Sequence, residues 1–206
     1  MAELRRTSEL RQVELTDAAL RIVATKGIAA LTTRSLAAEV GLSTGAIFRH
    51  FASIDALLDA VVERVEAVLE ATFPSAELPP VERLARFIEA RSSAVGSQLG
   101  ILRLVLSEQF LLALPRRGSA RLAACVEKTR VFVIECLREG QAEGSLRADL
   151  PAETLAPIVM GTVQMLALSP SRARQREAGA RAVMGSLLAI LRSPAAVSRS
   201  KRKGTS

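Results

Sequence analysis

Three hydroxyl residues, Thr32, Ser43 and Ser53, punctuate the stretch from Leu31 to Ala60, with Gly41 set between the first two. Each stands where a side-chain oxygen can accept from the open N–H groups of a helix start, and glycine is the residue that most readily ends one. Together they predict helices over 33–40 and 44–50, and a further helix opening at Ile54 with Asp55 in its first turn, where the helix dipole favours negative charge. A helix as short as 44–50 does not persist alone in water. It must be braced from behind. Ile47 and Phe51, four apart, face one way, and Leu36, Ala37, Val40, Leu42, Leu57 and Leu58 can complete a small apolar knot beneath them. Thr44, Gly45, Arg49 and His50 are left facing outward.

The rest of the chain has helical period almost throughout. Leu15, Ala18, Ala19, Ile22 and Val23 follow the spacing of one buried helix face. Gly27 stops that helix after Lys26, and the helix opening at Ile54 is expected to reach about Phe73. The prolines of PSAELPP (74–80) mark a loop between an N-terminal module and a larger C-terminal one. Further helices are predicted over 81–98, 100–113, 118–140, 151–168 and 172–192, with breaks at Gly100, at Pro115 with Gly118, at Gly140 with Gly144, and at Ser169-Pro170. No strand pattern and no internal repeat is found. The expected fold is all-α with about nine helices. A three-helix helix-turn-helix domain (1–60) is joined through a fourth helix to a helical bundle (61–192), followed by a polar, basic, disordered tail (193–206).

Composition narrows the function. There is no Trp and no Tyr, so the core is built from Leu, Val, Ile and Ala. The net charge of +7 invites a nucleic-acid reading, but its distribution does not supply one. Residues 1–60 carry 7 basic and 7 acidic side chains, whereas residues 171–206 carry 9 basic and 1 acidic. A DNA argument for the N-terminal module must therefore rest on local geometry. The geometry serves: a short braced helix with polar residues and no acid on its outer face can enter a major groove, its angle set by the preceding helix and the Gly41 turn. Cys125 and Cys136 lie roughly 16 Å apart along one helix, too far to pair, and read as buried small apolar residues. MAELRRTSELRQ has no apolar signal core, and the weakly polar run 155–168 is too short for a membrane span; a cytoplasmic location is expected. One histidine, and no CxxC, HExxH, GxSxG or glycine-rich phosphate loop, argue against an enzyme and against a metal or cofactor site.

Residues 9–60 resemble the DNA-binding domain of TetR-type transcriptional regulators. The resemblance rests on Ala18 to Gly27, then TTRSLAAEVGLS, then GAIFRHF, then Ser53-Ile54-Asp55 with ALL, in that order. It implies a symmetric dimer, an N-terminal reading head, and a C-terminal domain that dimerises and binds a small effector which lowers operator affinity. Two positions depart from the family pattern. Phe48 stands where Tyr is usual, so no phenol hydroxyl reaches a phosphate, and Ile54 stands where Lys is usual, so a cationic contact is missing. Arg5, Arg6 and Arg11 are basic residues that can compensate.

The DNA-contacting set expected on this basis is Thr33, Arg34, Ser43, Thr44, Gly45, Phe48, Arg49 and His50. The Arg49 fork matches guanine O6 and N7; its plain alternative is a solvated surface arginine. Thr33 and Ser43 sit at helix starts that suit phosphate oxygens, or simply cap. His50 either donates to a phosphate or packs at its helix end. Ile158, Thr162, Met165, Val183, Met184, Leu187 and Leu191 form apolar stripes on the last two helices, which would make a four-helix dimer interface or pack within one subunit. Phe87, Arg91, Leu102, Leu106, Phe110 and Phe132 are candidates for the wall of an effector site suited to an apolar molecule, or ordinary core. The function expected is a ligand-responsive regulator, a repressor, that binds a near-palindromic operator as a dimer. The competing reading is a helical scaffold or adaptor with a vestigial head.

Overall fold

A computed structural model of the protein describes residues 2–97, 108–168 and 173–192. Among them are nine α-helices: α1 (Ala2–Lys26), α2 (Thr33–Val40), α3 (Thr44–Ile47), α4 (Ile54–Glu70), α5 (Pro80–Ser97), α6 (Glu108–Ala113), α7 (Arg116–Ala142), α8 (Ala152–Leu168) and α9 (Ala173–Leu191). The all-α class holds. Two compact units are formed, one from Met1–Ala71 with Val95–Cys125, the other from Thr72–Ala94 with Val126–Ser206. The first unit thus includes the whole of α4. The physical reason is that α4 is one helix whose buried stripe, Leu57, Leu58, Val61, Val62 and Val65, passes through residue 60 without a break.

In the first unit the hydroxyl caps act as their spacing predicts. Thr32 Oγ1 accepts from the Ser35 N–H (3.1 Å) while Ser35 Oγ accepts from the Thr32 N–H (3.0 Å), a reciprocal box. Gly41, at φ 68°, closes α2 in the left-handed region. Ser43 and Ser53 accept from the N–H groups of Ala46 and Ala56. One element escaped sequence reading: after Gly27 (φ 83°) the chain makes a single 3-10 turn, Ile28–Ala30. Leu15, Ala18, Ile22, Leu36, Ile47 and Leu57 are fully or almost fully buried. Ion pairs join Arg64 to Asp17 and Arg121 to Glu66. A Cβ placed on Gly118 would lie in ordinary contact with Val62 Cγ2, at 3.4 Å, so α7 packs on α4 there. Gly118 is therefore no helix break; α7 starts directly after Pro115, whose carbonyl accepts from the Gly118 and Ser119 N–H groups.

The second unit has one core, from Leu84, Phe87 and Ile88 of α5, Val133, Ile134, Cys136 and Leu137 of α7, Leu155, Ala156, Val159 and Val163 of α8, and Leu187 and Leu191 of α9. Gly140, expected as a break, lies inside α7. Its missing side chain makes a notch: a Cβ there would come within 2.6 Å of Leu146 Cδ1 and 2.7 Å of its Cγ. The turn itself is made at Gly144, φ 74°, after which the Leu146 N–H returns to the Gly140 carbonyl (2.9 Å).

Candidate nucleic-acid interface

The short third helix is shorter than its sequence suggests. Thr44–Ile47 is α-helical, and then the ladder tightens, with Arg49 N–H donating to Ala46 O (3.3 Å) and His50 N–H to Ile47 O (2.9 Å). Phe51 N–H also reaches Ile47 O, at 3.0 Å. The chain has to bring Phe51 inward and turn before Ser53 caps α4, and the tighter turn does both. Ala46, Ile47 and Phe51 are buried, at 5 %, 1 % and 7 % exposure. Ser43, Thr44, Gly45, Phe48 and Arg49 are exposed. The inward and outward faces are those the apolar spacing predicts.

His50 is the exception. It was expected to face outward, but it is half-buried against α1. Its Nδ1 lies 3.5 Å from Ser8 Oγ, and its carbonyl accepts from Gln12 Nε2 at 2.9 Å. Neither Ser8 nor Gln12 was found in the sequence, because nothing in a local pattern ties α1 to a turn 38 residues later. Arg34 lies exposed in the first turn of α2, beside half-buried Thr33. Ile54 is half-buried at the start of α4.

Charge pairing separates these arginines from their neighbours. Arg11 bonds Glu14 on its own helix (2.5 Å), Arg21 meets Glu39 (3.3 Å), and Arg64 meets Asp17 (3.2 Å). Among the described residues, Arg34 and Arg49 have no ion-pair partner. Two exposed guanidinium groups without acids, on α2 and at the end of α3, stand ready for an external anion or a base edge. The side chains of Arg5 and Arg6 lie outside the described residues.

The residues expected to line an effector site are divided between the two units. Phe110 is buried in the first unit. Leu102 and Leu106 lie outside the described residues. Phe87, Arg91 and Phe132 do meet, in the second unit, and with them Phe73, which the sequence did not single out. The three rings stack and tilt on one another at centroid separations of 5.8, 5.1 and 5.1 Å. The buried Arg91 guanidinium sits 5.3 Å from the Phe73 centroid and 5.0 Å from that of Phe87, and donates to Thr129 Oγ1 (3.2 Å). Lys128 Nζ is 5.1 Å from the Phe73 ring. Phe87 and Arg91 stand four apart on α5, a spacing that puts them on one helix face.

The apolar stripe on α9 divides in two. Leu187 and Leu191 are buried in the core of their own chain, and Met184 packs against that core. These positions, expected at a dimer interface, are already filled by intrachain contacts. Val183 and Ile190 of α9, with Ile158 and Met165 of α8, are instead exposed, Met165 by 69 %. Thr162 is half-buried, its hydroxyl donating to the Ile158 carbonyl (2.8 Å). No helix among the described residues is long and apolar enough to cross a membrane.

Comparison with known proteins agrees with this geometry. Residues 15–61 match the family model of bacterial regulatory proteins, tetR family. The HTH-type transcriptional regulator SrpR of Pseudomonas putida is 25% identical over 194 residues, covering 90% of this chain and 87% of its own. The fold resembles that of the ketosteroid transcriptional regulator KstR2 of Mycobacterium tuberculosis, with a TM-score of 0.78 and 21% identity over 89% of this chain and 95% of that one. It also resembles AibR, solved in complex with isovaleryl coenzyme A and operator DNA, with a TM-score of 0.73 and 19% identity over 86% of this chain and 98% of that one. Residues 15–61 are thus a helix-turn-helix domain of the kind found in bacterial regulatory proteins of the tetR family.

Proposed function

We propose that the protein is a ligand-responsive cytoplasmic repressor, which binds a near-palindromic operator as a dimer and leaves it when a small molecule occupies the C-terminal unit. The observation that carries this reading is the outer face of α3. Thr44, Gly45, Phe48 and Arg49 are exposed on a turn held from beneath by Ile47 and Phe51, and among the described residues neither Arg49 nor Arg34 is neutralised by an acid. Arg49 reads a base, Arg34 touches DNA, and the hydroxyls and N–H groups of Thr33 and Ser43 meet phosphates. His50 is held by α1, and it fixes the turn that presents Arg49 as well as lying near a phosphate. The operator complex of AibR supports the DNA reading by analogy of fold, and its acyl-thioester ligand supports a small-molecule effector. In this chain the Phe73–Phe87–Phe132 cluster favours a ligand with an apolar body.

Dimerisation belongs to the same reading, because two reading heads must span half-sites about 34 Å apart. Its surface is the exposed set Ile158, Met165, Val183 and Ile190, with Thr162 at its edge. Release requires that the effector bind better to a state whose heads are wrongly spaced than to the operator-bound state.

The test begins with selection of bound fragments from genomic DNA, followed by titration in salt. Binding must weaken steeply as salt rises, since neutralised phosphates release counterions. Arg49→Ala is expected to relax preference at one operator position, with about a 10-fold loss there, and Arg34→Ala to weaken binding more evenly. Absence of binding to any fragment at low salt would overturn the operator reading and favour the competing scaffold reading. Occupancy unmoved by every apolar acid or acyl thioester tried would leave a constitutive regulator.

A further inference from the structure

We infer that Phe48 reads the 5-methyl group of a thymine in the operator. The inference rests on the operator-binding reading above and adds the base that the reading head selects. The chain has six phenylalanines. Phe51, Phe87 and Phe110 are buried, and Phe73 and Phe132 pack against the core of the second unit. Phe48 alone is exposed, with 51 % of its surface open. It is the residue that closes α3, at φ −67° and ψ −11°, so its direction is set by a helical backbone and not by a loose loop.

Its position gives the exposure a chemical meaning. A single exposed apolar side chain needs no explanation on an arbitrary surface. This one lies one turn after Thr44 and directly before Arg49, on the face that carries every other candidate base contact. Beside it Gly45 presents bare backbone, and a Cβ built there would meet nothing within 4 Å, so the approach to the ring is open. The floor of a major groove is lined by hydrogen-bonding edges, and the thymine methyl is its one apolar group. A ring without a hydroxyl cannot use the donors and acceptors. It can cover the methyl, while the neighbouring guanidinium takes the acceptor edge of a nearby guanine. The face therefore reads two chemistries side by side, a thymine through Phe48 and a guanine through Arg49.

Deoxyuridine tests this directly, because it keeps the pairing edge and O4 of thymidine and lacks only the methyl. Thymines of the selected operator are replaced one position at a time, in both half-sites. The wild-type protein is expected to lose about fourfold in affinity per half-site at one position, the worth of one buried methyl-sized group. Phe48→Ala is expected to bind thymidine and deoxyuridine operators equally, and Phe48→Tyr, which keeps the ring, to retain the penalty. A variant that folds less well lowers both affinities together and leaves their ratio unchanged, so the ratio is the readout. If the wild type tolerates deoxyuridine everywhere, or if Phe48→Ala keeps the full penalty, the methyl contact is overturned while operator binding stands. If no fragment is retained at all, the operator reading fails and takes this contact with it.

Discussion

Burial pushes the Cys136 thiol up to about 11 from its ordinary 9.0, chiefly by desolvation, against a smaller opposing pull from the Arg83 guanidinium. Cys136 is 1 % exposed in the second unit's core, as expected of a small apolar residue. Two consequences follow from that direction. At neutral pH the group is a protonated, inert thiol. Below pH 9 its burial costs no ionisation, and the stability it supports is lost as pH rises from about 9 through 11, because the unfolded chain releases its proton first. Unfolding midpoints measured from pH 8 to pH 11 should therefore fall, and Cys136→Ala, whose own core cost is independent of pH, should fall less steeply. Labelling at pH 8 should modify half-buried Cys125 before Cys136. Equal labelling of both in the folded state would show the core around α7 to be open. The single-residue properties that sequence could supply were of this kind, a residue type in a periodic position. His50 shows the other kind. Its placement depends on Ser8 and Gln12, and no local pattern could reveal that α1 would close over it.

Helices were the most legible scale, and their glycines the least. Caps at Thr32, Ser43 and Ser53 and the stop at Gly41 are written in local chemistry, so α2 and the start of α4 fall where the spacing puts them. Gly140 and Gly118 were read as stops because glycine has poor helix propensity. Both are helical; Gly140 is glycine for the sake of a neighbour, Leu146, whereas a Cβ at Gly118 would make only ordinary contact with Val62 at 3.4 Å. Only tertiary contact distinguishes a notch from a break. The distinction has a measurable form. Gly140→Ala improves helix propensity by about 1 kcal/mol, yet it drives a methyl into the buried Leu146 side chain, where overpacking costs about 1–3 kcal/mol. The net expectation is a lower denaturation midpoint, or at best none gained. Gly179→Ala is the control, since a Cβ there meets nothing within 4 Å, and it should stabilise. A clear gain from Gly140→Ala would mean that Leu146 moves aside freely and that the notch has no structural role.

At the scale of the whole molecule, the sequence left open whether the apolar stripes of α8 and α9 face a partner or their own core. A stripe that is apolar over so wide an arc contains both surfaces, and periodicity alone cannot draw the line between them. The structure draws it along α9: Leu187 and Leu191 inward, Val183 and Ile190 outward, with Ile158 and Met165 outward on α8. Substitutions on the two sides should therefore fail differently. Met165→Arg combined with Val183→Arg places charge on the outward side and leaves the core intact. That variant should stay folded and sediment as a monomer, its unfolding midpoint lowered only by the association free energy it forfeits. Its operator affinity should drop by about 100-fold or more, as the second reading head loses its tether. Leu187→Ala should instead cost about 2–5 kcal/mol of folding stability, with the folded fraction still associating. If the double arginine variant remains a dimer at micromolar concentration, the exposed faces of α8 and α9 are not the contact. The two heads would then have to be joined through a different surface.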